Sequence, residues 1–129
     1  MNNKQIAERT QELNSLIREL GKAERELIKM QYGICKHDVI VKLFDYDHED
    51  FESQCLFCGL NVRDHEEIQS YLNRGSSILD ICDLMPDSLT SQEKMDKVMN
   101  IYGELAEEND TENVEEMIGL IRERLEVNQ

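Results

Sequence analysis

Four residues have side chains that bind metal ions and a spacing that suits a single ion. Cys35 and His37 form a Cys-X-His pair, and after 17 intervening residues Cys55 and Cys58 form a Cys-X-X-Cys pair. Thiolate and imidazole groups that come as two short pairs from separate parts of a chain are the usual ligands of a structural zinc ion in tetrahedral coordination. The spacing therefore predicts one structural Zn²⁺ bound by these four residues.

The second pair lies in the segment CLFCGL, residues 55–60, in which Gly59 directly follows the second cysteine. A turn around a metal ion needs a residue that adopts positive φ at low cost, and glycine does so. This segment resembles the Cys-X-X-Cys-Gly knuckles of zinc-ribbon and treble-clef zinc modules, and the resemblance covers residues 35–74. It implies that the two knuckle cysteines bind the metal and that the Cys-X-His pair completes the site. Typical zinc ribbons have a second Cys-X-X-Cys knuckle, whereas the first pair here is one residue shorter.

Other chemistry fits the same residues less well. Zinc deaminases need His-X-Glu and Pro-Cys-X-X-Cys, but Val39 stands in the glutamate position after His37, and Gln54 precedes Cys55. Cys-X-X-Cys is also the spacing of thioredoxin-like redox sites, so a redox function stays open as an alternative. The fourth cysteine, Cys82, lies in an apolar segment and is expected to pack as a small hydrophobic residue.

The elements predicted around the two pairs bring them side by side. The segments VIVKLFDY (39–46) and FESQC (51–55) favour two strands joined by an acidic turn, because β-branched and aromatic residues are common in strands. A hairpin of these strands returns the second pair to the end where the chain left the first. Asp64 then precedes a short helix, as an N-cap residue would. Zinc is expected to stabilise this hairpin, which is too small to bury a core alone.

Helical patterns flank the hairpin on both sides. Residues 3–31 have apolar residues at heptad-like spacing and predict one long amphipathic helix. Residues 76–85 are also predicted to be helical, up to a break at Pro86. Thr90 and Glu93 have the spacing of a capping box, which opens the first of two C-terminal helices that are predicted to pack as a helical hairpin.

Together these elements predict a predominantly α-helical α+β fold that forms one compact unit. It consists of a long amphipathic helix in residues 1–34, a zinc-stapled β-hairpin with a short helix in residues 35–75, and a C-terminal helical region in residues 76–129. The apolar stripe of the first helix leaves two possibilities open. It either packs against the protein's own helices or forms a dimeric coiled coil, which would make the protein a homodimer.

The charge of the chain is large and unevenly distributed. The 14 basic and 28 acidic residues give a net charge of −14. Residues 1–36 hold seven basic and five acidic residues, whereas residues 37–129 hold seven basic and 23 acidic residues. Because phosphate backbones are bound mainly through Lys and Arg, direct nucleic-acid binding is disfavoured, and a protein partner with a basic surface is expected. An acidic surface that only keeps the chain soluble is the simpler alternative.

These features predict a cytoplasmic protein that is not an enzyme and does not insert into membranes. No stretch approaches the roughly 18 to 20 consecutive apolar residues that span a bilayer, and the first residues lack the apolar core of a secretory signal. The favoured function is a zinc-stabilised protein-binding or regulatory module with an acidic interaction surface. Two alternatives stay open: an acidic nucleic-acid mimic that inhibits a nucleic-acid enzyme, and a redox or zinc-dependent enzyme.

Overall fold

The computed structural model describes residues 2–45, 49–62, 64–86, 88–108 and 113–127. These residues form the predicted α+β fold, which is mainly helical and contains a small sheet. The elements in chain order are α1 (Asn3–Leu20), α2 (Glu24–Lys29), a π-helical turn (Met30–Ile34), β1 (Val39–Asp45), β2 (Asp50–Cys55), α3 (His65–Asn73), β3 (Ser77–Asp80), α4 (Ser91–Glu108) and α5 (Val114–Val127). Among the described residues, no helix combines the length and the apolar character needed to cross a bilayer.

The N-terminal helix is long, as predicted, but the prediction that it extends to residue 31 is wrong. Asn2 and Gln5 form a reciprocal capping box that starts α1. Gly21 ends the helix in the left-handed conformation, with φ of +67°, and its N–H donates to the carbonyl oxygen of Ile17 at 3.1 Å. The apolar spacing continues across Gly21, whereas the backbone turns there, because glycine adopts this helix-ending conformation without strain. The chain therefore enters α2 as a separate helix.

The predicted β-hairpin is confirmed. Strands β1 and β2 pair antiparallel, with Ile40 opposite Cys55 near one end and Asp45 opposite Asp50 at the other. Residue 46, the predicted end of the first strand, and residues 47 and 48 of the predicted acidic turn lie outside the described residues. The predicted short helix is also confirmed, because Asp64 accepts a hydrogen bond from the N–H of Glu66 and caps α3.

The prediction of a helix in residues 76–85 is wrong, because this segment contains β3. Strand β3 pairs parallel with β1, which makes β1 the central strand of a sheet of order β2-β1-β3. Burial alternates along this segment: Ile78 and Asp80 are exposed, whereas Leu79 and Ile81 are buried. This two-residue alternation is that of a strand, and in so short an apolar run it is hard to distinguish from a turn of helix.

One hydrophobic core unites the helices and the sheet. It contains Ile6 and Leu13 of α1 and, from α4, Met95, Val98, Tyr102 and Leu105. The capping box of α4 is present, since Thr90 and Glu93 exchange hydrogen bonds of 3.2 Å. Helix α5 packs against α4 and adds Met117, Ile121 and Leu125 to the core. Residues 109–112, between these helices, lie outside the described residues.

Candidate metal centre

The four predicted ligands form one buried cluster. The ligand atoms of Cys35, His37, Cys55 and Cys58 all lie within 4.8 Å of one another. The Sγ atoms of Cys35 and Cys55 are 3.7 Å apart, and Sγ of Cys58 is 3.4 Å from Nδ1 of His37. The prediction that the two pairs meet in space is confirmed.

These distances fit a tetrahedral metal site. With Zn–S bonds of about 2.3 Å and Zn–N bonds of about 2.05 Å, two sulfurs of a tetrahedron are about 3.8 Å apart and a sulfur and a nitrogen about 3.6 Å. The two separations given above, 3.7 Å between sulfurs and 3.4 Å between sulfur and nitrogen, are close to these edges, whereas a disulfide would need sulfurs about 2.05 Å apart. All four cysteines of the chain are free thiols. The cluster could hold one metal ion.

The Cys-X-His pair is positioned by the π-helical turn that precedes it. The N–H of Cys35 donates to the carbonyl oxygen of Met30 at 2.9 Å, which closes the last π-type turn before the chain becomes extended. Two residues later His37 has a φ of +55°, which is rare for a residue with a side chain. Its backbone N–H points at Sγ of Cys35, 3.4 Å away. This sharp bend places the thiol and the imidazole on the same side of the chain.

The Cys-X-X-Cys pair lies in a tight knuckle at the end of β2. The N–H of Gly59 donates to the carbonyl oxygen of Cys55 at 3.0 Å. The N–H of Cys55 donates to the carbonyl oxygen of Leu60 at 2.9 Å. Gly59 has a φ of +76°, as predicted for the residue after the second ligand. The side chain of Phe57 is buried and meets the ring of Tyr102 on α4 edge to face, at 5.1 Å between centroids. The apolar residues of CLFCGL thus anchor the knuckle in the core.

Three contacts from distant segments support the ligands. Nε2 of Gln31 donates to the carbonyl oxygen of Cys58 at 3.2 Å, which ties the π-helical turn to the knuckle. The hydroxyl of Ser76 donates to the carbonyl oxygen of His37 at 2.8 Å, and the ring of Tyr71 lies 5.1 Å from the His37 ring. Sequence reasoning missed all three residues, since nothing in their local pattern signals a contact with residues about 30 positions away.

The four side chains perturb one another's pKa values. Hydrogen bonds from Cys55, Cys58 and His37 lower the pKa of Cys35. The pKa of Cys58 is raised by its hydrogen bonds to Cys35 and Cys55, by burial and by the charge of the neighbouring thiolates. Burial lowers the pKa of His37, but hydrogen bonds to Cys35 and Cys55 and their charge raise it overall, to about 10. A divalent cation at the centre would displace these protons and neutralise the thiolates.

The remaining candidates lie apart from the cluster. Cys82 is half-buried, its thiol is 3.8 Å from the carbonyl oxygen of Lys42, and burial raises its pKa to about 11. This agrees with the expectation of a neutral, packed thiol. His65 is exposed and is the first residue of α3. The candidate centre therefore contains the four predicted residues and none of the other cysteines or histidines that the structure describes.

No protein-family model, no curated protein and no solved structure gives a significant match to this chain. The likeness to zinc modules rests on the ligand cluster and its knuckle, and the type of zinc fold stays a prediction.

Proposed function

We propose that this chain is a non-enzymatic protein-binding module whose fold is stabilised by one structural zinc ion. The observation that carries the proposal is the closed cluster of four ligands. The side chains of Cys55 and Cys58 have no exposed surface, and His37 and Cys35 expose 5% and 9%. Four protein ligands complete a tetrahedron, whereas catalytic zinc keeps a position for water or substrate.

The ligand set favours zinc over harder metals. Three sulfurs and one imidazole are soft or borderline ligands, which select zinc or iron–sulfur chemistry over Mg²⁺ or Ca²⁺. Single-ion Cys₃His sites are a common form of structural zinc site. The ion would join the π-helical turn, the start of β1 and the end of β2, and it would supply on the order of 10 kcal/mol of apparent binding free energy to a small hairpin.

The acidic part of the chain supplies the interaction surface in this proposal. Glu49 and Asp50, at the end of the hairpin that is remote from the metal centre, are exposed. They belong to the part of the sequence with seven basic and 23 acidic residues. A basic surface on a protein partner would complement this field and raise the rate of encounter. A nucleic-acid mimic would use the same negative electrostatic field. The two functions differ in one respect: a mimic would compete with a nucleic acid for the partner, whereas an ordinary protein-binding module would not.

The metal proposal is tested by elemental analysis and thiol titration of protein purified without an affinity tag or added metal. We expect one zinc per chain. We expect three thiols to be protected in the native protein and released by a chelator, while Cys82 serves as the internal control whose reactivity the chelator leaves unchanged. Absence of zinc together with fast-reacting native thiols at Cys55 and Cys58 would overturn the proposal in favour of a redox site.

A further inference from the structure

A surface of exposed apolar and basic side chains immediately precedes the metal centre. Tyr32, Ile28 and Ile34 expose 74%, 52% and 47% of their surface, values that are high for large apolar residues so close together in the chain. Basic residues that are also exposed lie among them. We call this surface the basic patch and define it as Arg25, Ile28, Lys29, Tyr32, Ile34 and Lys36.

Part of the basic patch is tied to the cluster of candidate ligands through the backbone. Arg25, Ile28 and Lys29 lie on one face of α2, because residues three and four positions apart are neighbours on a helix. Tyr32 and Ile34 belong to the π-helical turn, which is fixed to the knuckle through the hydrogen bond of Gln31. Short π-helical segments occur frequently at functional sites. The apolar side chains are therefore exposed on a fixed backbone.

The charge of the basic patch contrasts with that of the rest of the chain. Arg9, on the neighbouring helix, is neutralised by Glu12 and Glu26. Neither Arg25 nor Lys29 forms an ion pair within the part of the chain that the structure describes. A patch of this kind fits a segment that carries carboxylates beside an apolar side chain.

The chain itself contains such a segment at the other end of the hairpin. Residues 49–52, which we call the acidic end, have the sequence Glu-Asp-Phe-Glu. Phe51 exposes 55% of its surface between Asp50 and Glu52, although its ring also meets the Phe44 ring edge to face and lies 4.6 Å from the ammonium group of Lys42. The seven residues of β1 run from the metal centre to this end, a distance of roughly 20 Å at about 3.3 Å per residue. The part of the basic patch next to the metal centre, Ile34 and Lys36, is therefore separated from the acidic end of the same molecule by the length of β1.

We propose that the basic patch of one copy binds the acidic end of a second copy. Phe51 would pack against Ile28 and Tyr32, while the carboxylates of the acidic end face Arg25 and Lys29. This inference rests on the acidic surface of the proposed function and names a partner for it. Such an interface joins two different surfaces, so it extends into chains or closes into rings rather than stopping at a two-fold dimer.

The net charge of −14 opposes association only at long range. At an ionic strength of 0.15 M, charges separated by more than about 8 Å are largely screened. The local contact involves opposite charges and apolar side chains at shorter distances. The residues that contribute most to binding at interfaces are often Tyr and Arg, and the basic patch contains one of each, Tyr32 and Arg25.

Sedimentation of the zinc-loaded protein over a range of concentrations tests this proposal. We expect the average mass to rise above the monomer mass of 15.1 kDa as the concentration increases. The double variants Arg25→Glu/Lys29→Glu and Glu49→Lys/Asp50→Lys should each weaken association about tenfold or more, because each makes the two surfaces alike in charge. An equimolar mixture of the two variants should associate again, since both contacts between them pair opposite charges. Lys4→Glu/Lys97→Glu, at exposed positions outside both surfaces, is the matched control and should associate like the wild type.

Zinc content and circular dichroism of each variant establish that it is folded, so that loss of association reports on the surface. A wild type that stays monomeric at all concentrations would overturn self-association, and so would association that both double variants retain. Neither result would affect the zinc measurement that tests the proposed function. A third outcome is a wild type that is monomeric but binds a fluorescent single-stranded oligonucleotide. If Arg25→Glu/Lys29→Glu abolishes that binding, the patch is a nucleic-acid site instead.

Discussion

Nδ1 of His37 lies 3.4 Å from Sγ of Cys58, although 21 positions separate the two residues in the chain. The contact joins the residue that leads into β1 to the knuckle that follows β2. Both flanking backbones are bent into positive φ near this point, at His37 and at Gly59. The two arms of the candidate centre are therefore shaped to meet, and changes in either arm should affect the other.

Replacement of a knuckle ligand should release the metal and destabilise the hairpin. In Cys58→Ser, three ligands remain and a buried hydroxyl takes the place of a thiolate, so we expect loss of zinc and a loss of several kcal/mol of stability. Metal analysis and thermal unfolding measure both effects. Cys82→Ser is the control, because this residue lies outside the cluster, and it should keep its zinc. Unchanged zinc content and Tm in Cys58→Ser would refute the assignment of this ligand.

Acidification should release the metal. Zinc competes with protons for thiolates and imidazole, so its affinity falls as the pH falls. The raised pKa values of Cys58 and His37, the latter about 10, mean that both groups bind protons at neutral pH when no metal competes. We expect one or more protons to be released for each zinc bound near pH 7 and zinc to dissociate progressively as the pH falls below neutrality. Calorimetry in buffers of different ionisation enthalpy counts the protons, and a proton count of zero would contradict thiol and imidazole ligands.

Thr10→Val should stabilise the protein. Thr10 is completely buried in α1, and its hydroxyl has no hydrogen-bond partner among the described residues. Replacing this hydroxyl by a methyl group removes the cost of an unsatisfied polar atom, so we expect a gain of about 1 kcal/mol in the free energy of unfolding. The same substitution at Thr90 is the matched control. Its hydroxyl accepts the N–H of Glu93 at the start of α4, and its loss should cost about 1 kcal/mol. Chemical denaturation distinguishes the two signs.

Two glycine substitutions should also act in opposite directions. Gly21 has a φ of +67° at the end of α1, where alanine is strained, so Gly21→Ala should cost about 1 kcal/mol. Gly103 lies inside α4, is exposed and has no atom within 4 Å of an added Cβ. Gly103→Ala should therefore stabilise the protein by about 0.5 to 1 kcal/mol through helix propensity. Equal effects in denaturant unfolding would argue against the break that separates α1 from α2.

The metal cluster and the hairpin could be predicted because two independent signals agree. The ligand spacing requires both pairs to converge, and the strand pattern between Val39 and Cys55 returns the chain to where it started. The end of α1 could not be placed in the same way, since the apolar periodicity is continuous through Gly21 and only the backbone conformation reveals the break. The parallel strand β3 was missed because Ile78 and Leu79 form an apolar run too short to establish a period.

The surroundings of the metal centre depend on long-range packing and so lie beyond sequence reasoning. Gln31 and Tyr71 are ordinary helical residues until the fold brings them to Cys58 and His37. The exposure of Tyr32 could not be predicted from the sequence either. A periodic pattern predicts which residues of a helix face a core, but the π-helical turn changes the residue spacing just before the ligands and turns this tyrosine outward.

The knuckle has a consequence for the order in which the protein is made. All four ligands are synthesised before α3, β3, α4 and α5, so the proposed zinc ion can bind while the rest of the chain is still absent. Phe57 must wait for Tyr102, its partner 45 positions later, which takes roughly 2 to 9 s at about 5 to 20 residues per second. During that interval the ion would hold the hairpin together while the apolar side chains of its knuckle are still uncovered. A nascent chain starved of zinc would expose those side chains on an unconstrained hairpin. Metal supply at the ribosome would then determine how much of the protein escapes aggregation.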